Sequence, residues 1–106
     1  MEKRIYKRMA VPSAQVNASV GKKVFQGRVT DVSRFGFAAC DFTPMLKEGS
    51  RTMKVVLDVG QKKFKMDVVV CWDHVYGSHQ SMGAQIKSSS AEWLMYVASL
   101  ENKSWA

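Results

Sequence analysis

Between Thr52 and Trp72 the sequence alternates with a period of two. Met53, Val55, Leu57 and Val59 are interleaved with Thr52, Lys54, Val56 and Asp58, and the apolar parity resumes at Phe64, Met66, Val68, Val70 and Trp72 after a break at Gly60-Gln61-Lys62-Lys63. Successive side chains of a strand point to opposite faces, so this pattern describes two strands with one buried face each; a helix would scatter the same residues around its circumference. The glycine-led break between the runs is hairpin chemistry. Val69 and Cys71 then make both faces apolar, which places the end of the second strand centrally or between two layers. An isolated hairpin is marginal in water, so the rest of the chain has to cover this one.

More strand-like segments are present on both sides. Val16, Ala18 and Val20 alternate with Gln15, Asn17 and Ser19, and Gly21-Lys22-Lys23 turns the chain back into a strand over 24–30. A turn over Asp31 to Gly36 leads to a short strand, Phe37 to Cys40; Phe42 to Ser50, with Pro44 and Gly49, reads as a longer connection. Gly77-Ser78-His79-Gln80 is the next turn and Ser81 to Lys87 the last strand. Ser89-Ser90-Ala91-Glu92 has the spacing of a capping box, predicting a helix over 90–101 whose apolar stripe is Trp93, Leu94, Val97 and Leu100. About six short strands and one late helix predict an all-β protein, a six-stranded antiparallel β-barrel with a flanking C-terminal α-helix. At 106 residues with 46% hydrophobic content, the chain is long enough for one core and too short for two.

The formal charge of +7 favours acidic partners: a phosphorylated ligand, nucleic acid or an acidic protein face. The clusters Lys22-Lys23 and Lys62-Lys63-Lys65 flank Gly21 and Gly60 and read as solvated hairpin turns. Cys40 and Cys71 lack a CxxC arrangement and read as free thiols, consistent with a cytoplasmic protein, and the short apolar runs predict no membrane span. Asp73, His74 and His79 have no third ligand at metal-binding spacing, so no metal or cofactor is expected, and they read as loop residues. No nucleophile–base pair is visible, which argues against an enzyme.

Two short motifs remain. Arg4-Ile5-Tyr6-Lys7-Arg8 lies in a basic segment, residues 1–9, read as an arm in need of tying down; Asp31-Val32-Ser33-Arg34-Phe35-Gly36 lies downstream. A guanidinium is a charged planar fork suited to phosphate oxygens or the O6/N7 edge of guanine. The Asp31 carboxylate only accepts, matching the N1 and N2 donors of guanine's other edge, while the Ser33 hydroxyl donates or accepts, and Gly36 permits a close backbone approach. RxxxR followed by DxSxxG resembles the PilZ domain, a family of bacterial receptors for cyclic di-GMP. Val68 to Trp72 and Met82-Gly83-Ala84-Gln85-Ile86 resemble later strands of that family, although Gln85 brings no cation.

The resemblance implies a β-barrel over 10–106 with cyclic di-GMP held between the arm and the barrel surface by Arg4, Arg8, Asp31, Ser33 and Gly36. Lys3, Lys7, Arg34 and Trp72 are possible additional contacts. Parity points Trp72 to a core or barrel-rim role, while its flat face is also suited to stacking on guanine. The resemblance further implies signalling to a protein partner, in motility, biofilm or virulence machinery, with ligand ordering the arm. Two alternatives stay open: a nucleic-acid-binding barrel of OB type, disfavoured because Phe25, Phe35, Phe37 and Phe42 are dispersed, and a PilZ-like adaptor that acts without ligand.

Overall fold

A computed structural model of the chain describes residues 8–43, 52–77 and 79–103. Its elements run β1 (Met9–Val20), β2 (Lys23–Ser33), β3 (Gly36–Thr43), β4 (Thr52–Val59), β5 (Lys62–Tyr76), β6 (His79–Ser88) and α1 (Ala91–Lys103). All neighbouring strands are antiparallel, in the order β1-β2-β3-β6-β5-β4, and β4 pairs with β1 to close the barrel. The expected six-stranded barrel with one C-terminal helix is the observed architecture.

The β4–β5 hairpin follows its sequence pattern without interruption, in register from Thr52↔Val69 to Val59↔Lys62. Gly60 takes a φ of +68°, the left-handed conformation that a two-residue hairpin asks of a central residue and that glycine adopts without a Cβ penalty. The inward residues Met53, Val55, Leu57, Phe64, Met66 and Val68 join Val16, Phe25, Val29, Phe37, Met82 and Ile86 in one core. Each such burial is worth about 1.5–3 kcal/mol relative to exposure. Helix α1 covers one end of the barrel, where Trp93 and Val97 are fully buried and the Trp93 ring meets Phe64 edge-on at 5.2 Å between centroids.

Several local expectations need correction. Met9, assigned above to the arm, is buried and paired with Val32 as the first residue of β1. Asp31 to Ser33 is strand rather than turn: Ser33 pairs with Gly36 across a two-residue loop, Arg34-Phe35. Phe42 belongs to β3 and to the core, not to a connection. Asp73 and His74 lie in β5 and His79 in β6, since the β5–β6 pairing continues to Tyr76↔His79. The helix starts at Ala91, with the Trp93 amide donating to the Ser90 carbonyl at 3.1 Å, one position later than a Ser89–Glu92 capping box requires. Its buried stripe is Trp93, Tyr96, Val97 and Leu100, while Leu94 faces outward.

Candidate ligand site on the barrel wall

Two β-bulges re-aim the residues that matter most here. In β2, Val29 pairs with Ala39 and Asp31 with Ala38, so Thr30 is an extra residue. Val29 and Val32 are both inward core residues, and only this insertion lets Asp31, at the parity of Val29, face out. In β5, Val70 pairs with Ala84 and Trp72 with Gly83, so Cys71 is extra. Trp72 therefore leaves the inward parity of Phe64, Met66, Val68 and Val70 and is 45% exposed on the outer wall. Of the two roles expected from its parity, core or barrel rim, the core one fails for this reason.

The two re-aimed side chains stand in one row. Asp31 pairs with Ala38, Ala38 with Gly83, and Gly83 with Trp72. Ala38 lies between the core residues Phe37 and Ala39, and Gly83 between Met82 and Ala84, so both small residues face outward. The result is a shallow floor with a carboxylate at one end and an indole at the other, on strands whose backbones stand roughly 14 Å apart at about 4.8 Å per strand. The indole lies directly over Gly83: a Cβ there would collide with the ring.

At the carboxylate end, Arg8 approaches from the start of β1. Its Nη1 is 3.6 Å from Asp31 Oδ1, an ion-pair distance too long for a hydrogen bond. Asp31 Oδ1 is buried and has no hydrogen-bond partner among the described residues. A buried acceptor of this kind carries a desolvation cost of about 1–3 kcal/mol until a donor reaches it. The structure thus brings Arg8 of the first motif onto Asp31 of the second.

The remaining motif residues hold the frame. Ser33 is buried and its hydroxyl donates to the Gly36 carbonyl at 3.4 Å across the hairpin. Gly36 has no Cβ because one would sit 2.9 Å from the Ala84 carbonyl oxygen of β6. Arg34 grips Glu101 of α1 with a two-nitrogen fork, its Nη2 donating to Oε1 at 2.8 Å and its Nε to Oε2 at 3.0 Å. That contact holds the Glu101 carboxyl below the ordinary glutamate range. Trp93 Nε1 donates to the Arg34 carbonyl at 3.1 Å, and the Ile86 amide donates to the Phe35 carbonyl at 2.9 Å, so the loop is tied to both α1 and β6. Lys3, Arg4 and Lys7 lie outside the described residues.

Sequence reasoning missed a second polar cluster farther along the wall. Arg28 donates to Asp41 Oδ2 at 3.1 Å, and His79 Nδ1 lies 3.3 Å from Asp41 Oδ1. The Arg28 bond, followed by the His79 contact, holds the Asp41 carboxyl below its usual range. Asp41 has a φ of +59° where β3 carries an extra residue opposite β2. Nothing local in the sequence marks this, because the cluster is assembled from three strands. Among the described residues, no group of three or more His, Cys, Asp or Glu is placed to hold a metal ion.

No family model matches the sequence, and no curated protein does. Solved structures do. The PilZ domain of YcgR from Escherichia coli, solved with c-di-GMP, superposes with a TM-score of 0.74 at 16% identity over 97% of this chain and 95% of that one. The K. pneumoniae MrkH complex with c-di-GMP gives 0.76 at 18% identity, over 100% of this chain and 57% of that one. The Bacillus subtilis inhibitor of motility MotI gives 0.75 at 13% identity, over 97% and 53%. The chain spans about half the length of the last two proteins and nearly all of the isolated domain. With one barrel order, one capping helix and superposition along almost its whole length, the chain has a PilZ-like fold.

Proposed function

We propose that this chain is a receptor for cyclic di-GMP, a binding protein rather than an enzyme. The observation that carries the reading is the buried Asp31 Oδ1, ion-paired with Arg8 but without a hydrogen bond among the described residues, at one end of an outer row that ends in Trp72. Asp31 accepts from the N1 and N2 donors of guanine, and Arg8, with Arg4, holds phosphate. Ala38 leaves the wall low enough for a planar base, and Trp72, seated over Gly83, offers it a face. Ser33 and Gly36 keep the hairpin in register beneath the ligand. Arg34, with its fork on Glu101, links this hairpin to α1 rather than adding a phosphate contact. Several of the similar solved structures contain c-di-GMP, which agrees with this ligand.

In this reading the ligand draws the segment that precedes Arg8 onto the wall and presents a changed surface to a protein partner. The free thiols Cys40 and Cys71 fit action in the cytoplasm, and no helix of the described residues is long and apolar enough to cross a membrane. Motility control is the output suggested by the resemblance to the inhibitor of motility. Calorimetric titration is the test: cyclic di-GMP should bind at about micromolar affinity or tighter, roughly 8 kcal/mol, and GMP much more weakly. Equal affinity for GMP would remove the reading, because a mononucleotide cannot engage both motifs.

A further inference from the structure

A second concave surface lies on the other side of α1, in the angle between the helix and the β4–β5 hairpin. It is a groove of about 370 Å³ lined by Lys62, Lys63, Phe64, Glu92, Met95 and Tyr96, together with Ser99. The floor is aromatic: the Phe64 and Tyr96 rings are tilted 35° at 5.2 Å between centroids. Met95, 71% exposed, overhangs it, and an exposed unbranched thioether is a side chain that adapts to partner surfaces. The wall is cationic. Lys62 Nζ sits 5.9 Å from the Tyr96 ring centroid, and Lys63 meets Asp58 only at 4.0 Å.

We infer that this groove is a docking surface for an acidic segment of a protein partner, one large apolar side chain of which enters between Phe64, Tyr96 and Met95 while its carboxylates face Lys62 and Lys63. Charge complementarity selects the occupant: the chain carries +7, and among the described residues two lysines, Lys62 and Lys63, and one acidic side chain, Glu92 in the first turn of α1, line the groove. The lysine pair read from sequence as a plain hairpin turn thereby acquires a role. The inference deepens the receptor reading and rests on it, because α1 is the element tied to the Asp31–Gly36 hairpin through Glu101–Arg34 and Trp93–Arg34. The groove is then the output face of the same switch.

Amide chemical-shift mapping with two synthetic peptides tests it. Glu-Glu-Leu-Trp-Glu-Glu should shift amides at Lys62, Lys63, Phe64, Met95 and Tyr96, and Lys-Lys-Leu-Trp-Lys-Lys should leave them in place. The double variant Lys62→Glu, Lys63→Glu should weaken the acidic peptide by about fivefold or more, as expected for two screened ion pairs turned repulsive. Met95→Ser, with unchanged thermal unfolding, should weaken it too. No shifts, shifts centred elsewhere, equal binding of the basic peptide, or a single-stranded oligouridylate binding the groove more tightly would each overturn the inference. Cyclic di-GMP titrated into the double variant separates the two proposals. Retained nucleotide binding with lost peptide binding supports this surface; retained peptide binding with no nucleotide binding in the native chain would break the receptor reading and the assignment of output, leaving only a peptide groove.

Discussion

The β4–β5 hairpin and the wall formed by β2, β3, β6 and β5 are made of the same material and do opposite work. The hairpin pairs residue for residue from its glycine turn to Thr52↔Val69, and its inward side chains form the core. The wall carries an extra residue in β2 at Thr30 and another in β5 at Cys71, and each lifts one side chain out of the inward parity. Regular pairing repeats one decision along a strand, so it suits a core. A bulge changes that decision at a single point, and two bulges beside the same row make a surface that alternation alone cannot make.

The sharpest break in this division would come from the core side. Leu57→Ala, at a fully buried position of β4, should lower unfolding stability by about 2–5 kcal/mol. Where the variant is still folded, its affinity for cyclic di-GMP should match the native chain. A matching loss of affinity under those conditions would mean that core and wall are not separable.

Changes on the wall should do the reverse. Arg8→Ala and Asp31→Ala should each weaken cyclic di-GMP binding by about 2 kcal/mol, near thirtyfold, because a charge-assisted contact is lost. Denaturant unfolding should show no comparable loss of stability: Asp31→Ala removes a buried oxygen that has no hydrogen bond among the described residues, and the Arg8–Asp31 pair, 3.6 Å apart and partly exposed, contributes about 1 kcal/mol or less. Lys62→Ala, on the regular hairpin, should leave nucleotide affinity as it is.

Trp72 sharpens the comparison further. Trp72→Ala should cost about 1 kcal/mol of ligand affinity, the lower end for base stacking, as the ring is nearly half exposed. Gly83→Ala should reproduce most of that loss with the tryptophan still present, because the added methyl displaces the indole from its seat. Tryptophan fluorescence and calorimetry on both variants check this. Full affinity in Gly83→Ala would show that the seat does not matter.

The smallest effect concerns the tie between wall and helix. Glu101 has a depressed carboxyl pKa in the folded chain, so its contribution to stability is present above the ordinary glutamate value of about 4.3 and is lost as pH falls through the lower folded value. The pair is partly exposed, which limits the contribution to about 1 kcal/mol or less. Glu101→Gln should flatten that acid-side loss in a stability–pH profile and change little at neutral pH.

The alternation from Met53 to Val70, the glycines at the hairpin turns and the apolar spacing near the C-terminus determined six strands, three of their turns and a helix, because these are local properties of backbone and side chain. They also determined which residue types could serve guanine and phosphate. Strand pairing decided the rest. Whether Asp31 and Trp72 face in or out depends on an extra residue opposite Ala38 or Gly83, and those partners lie on other strands. Tyr96 replaces Leu94 in the buried stripe because Phe64 is the surface that α1 meets. Arg34 faces Glu101, and Arg28 and His79 share Asp41, only once the barrel has closed. A chain's local pattern specifies which face of an element is apolar, whereas the register between distant elements, set by the packing of the whole core, specifies which side chains meet.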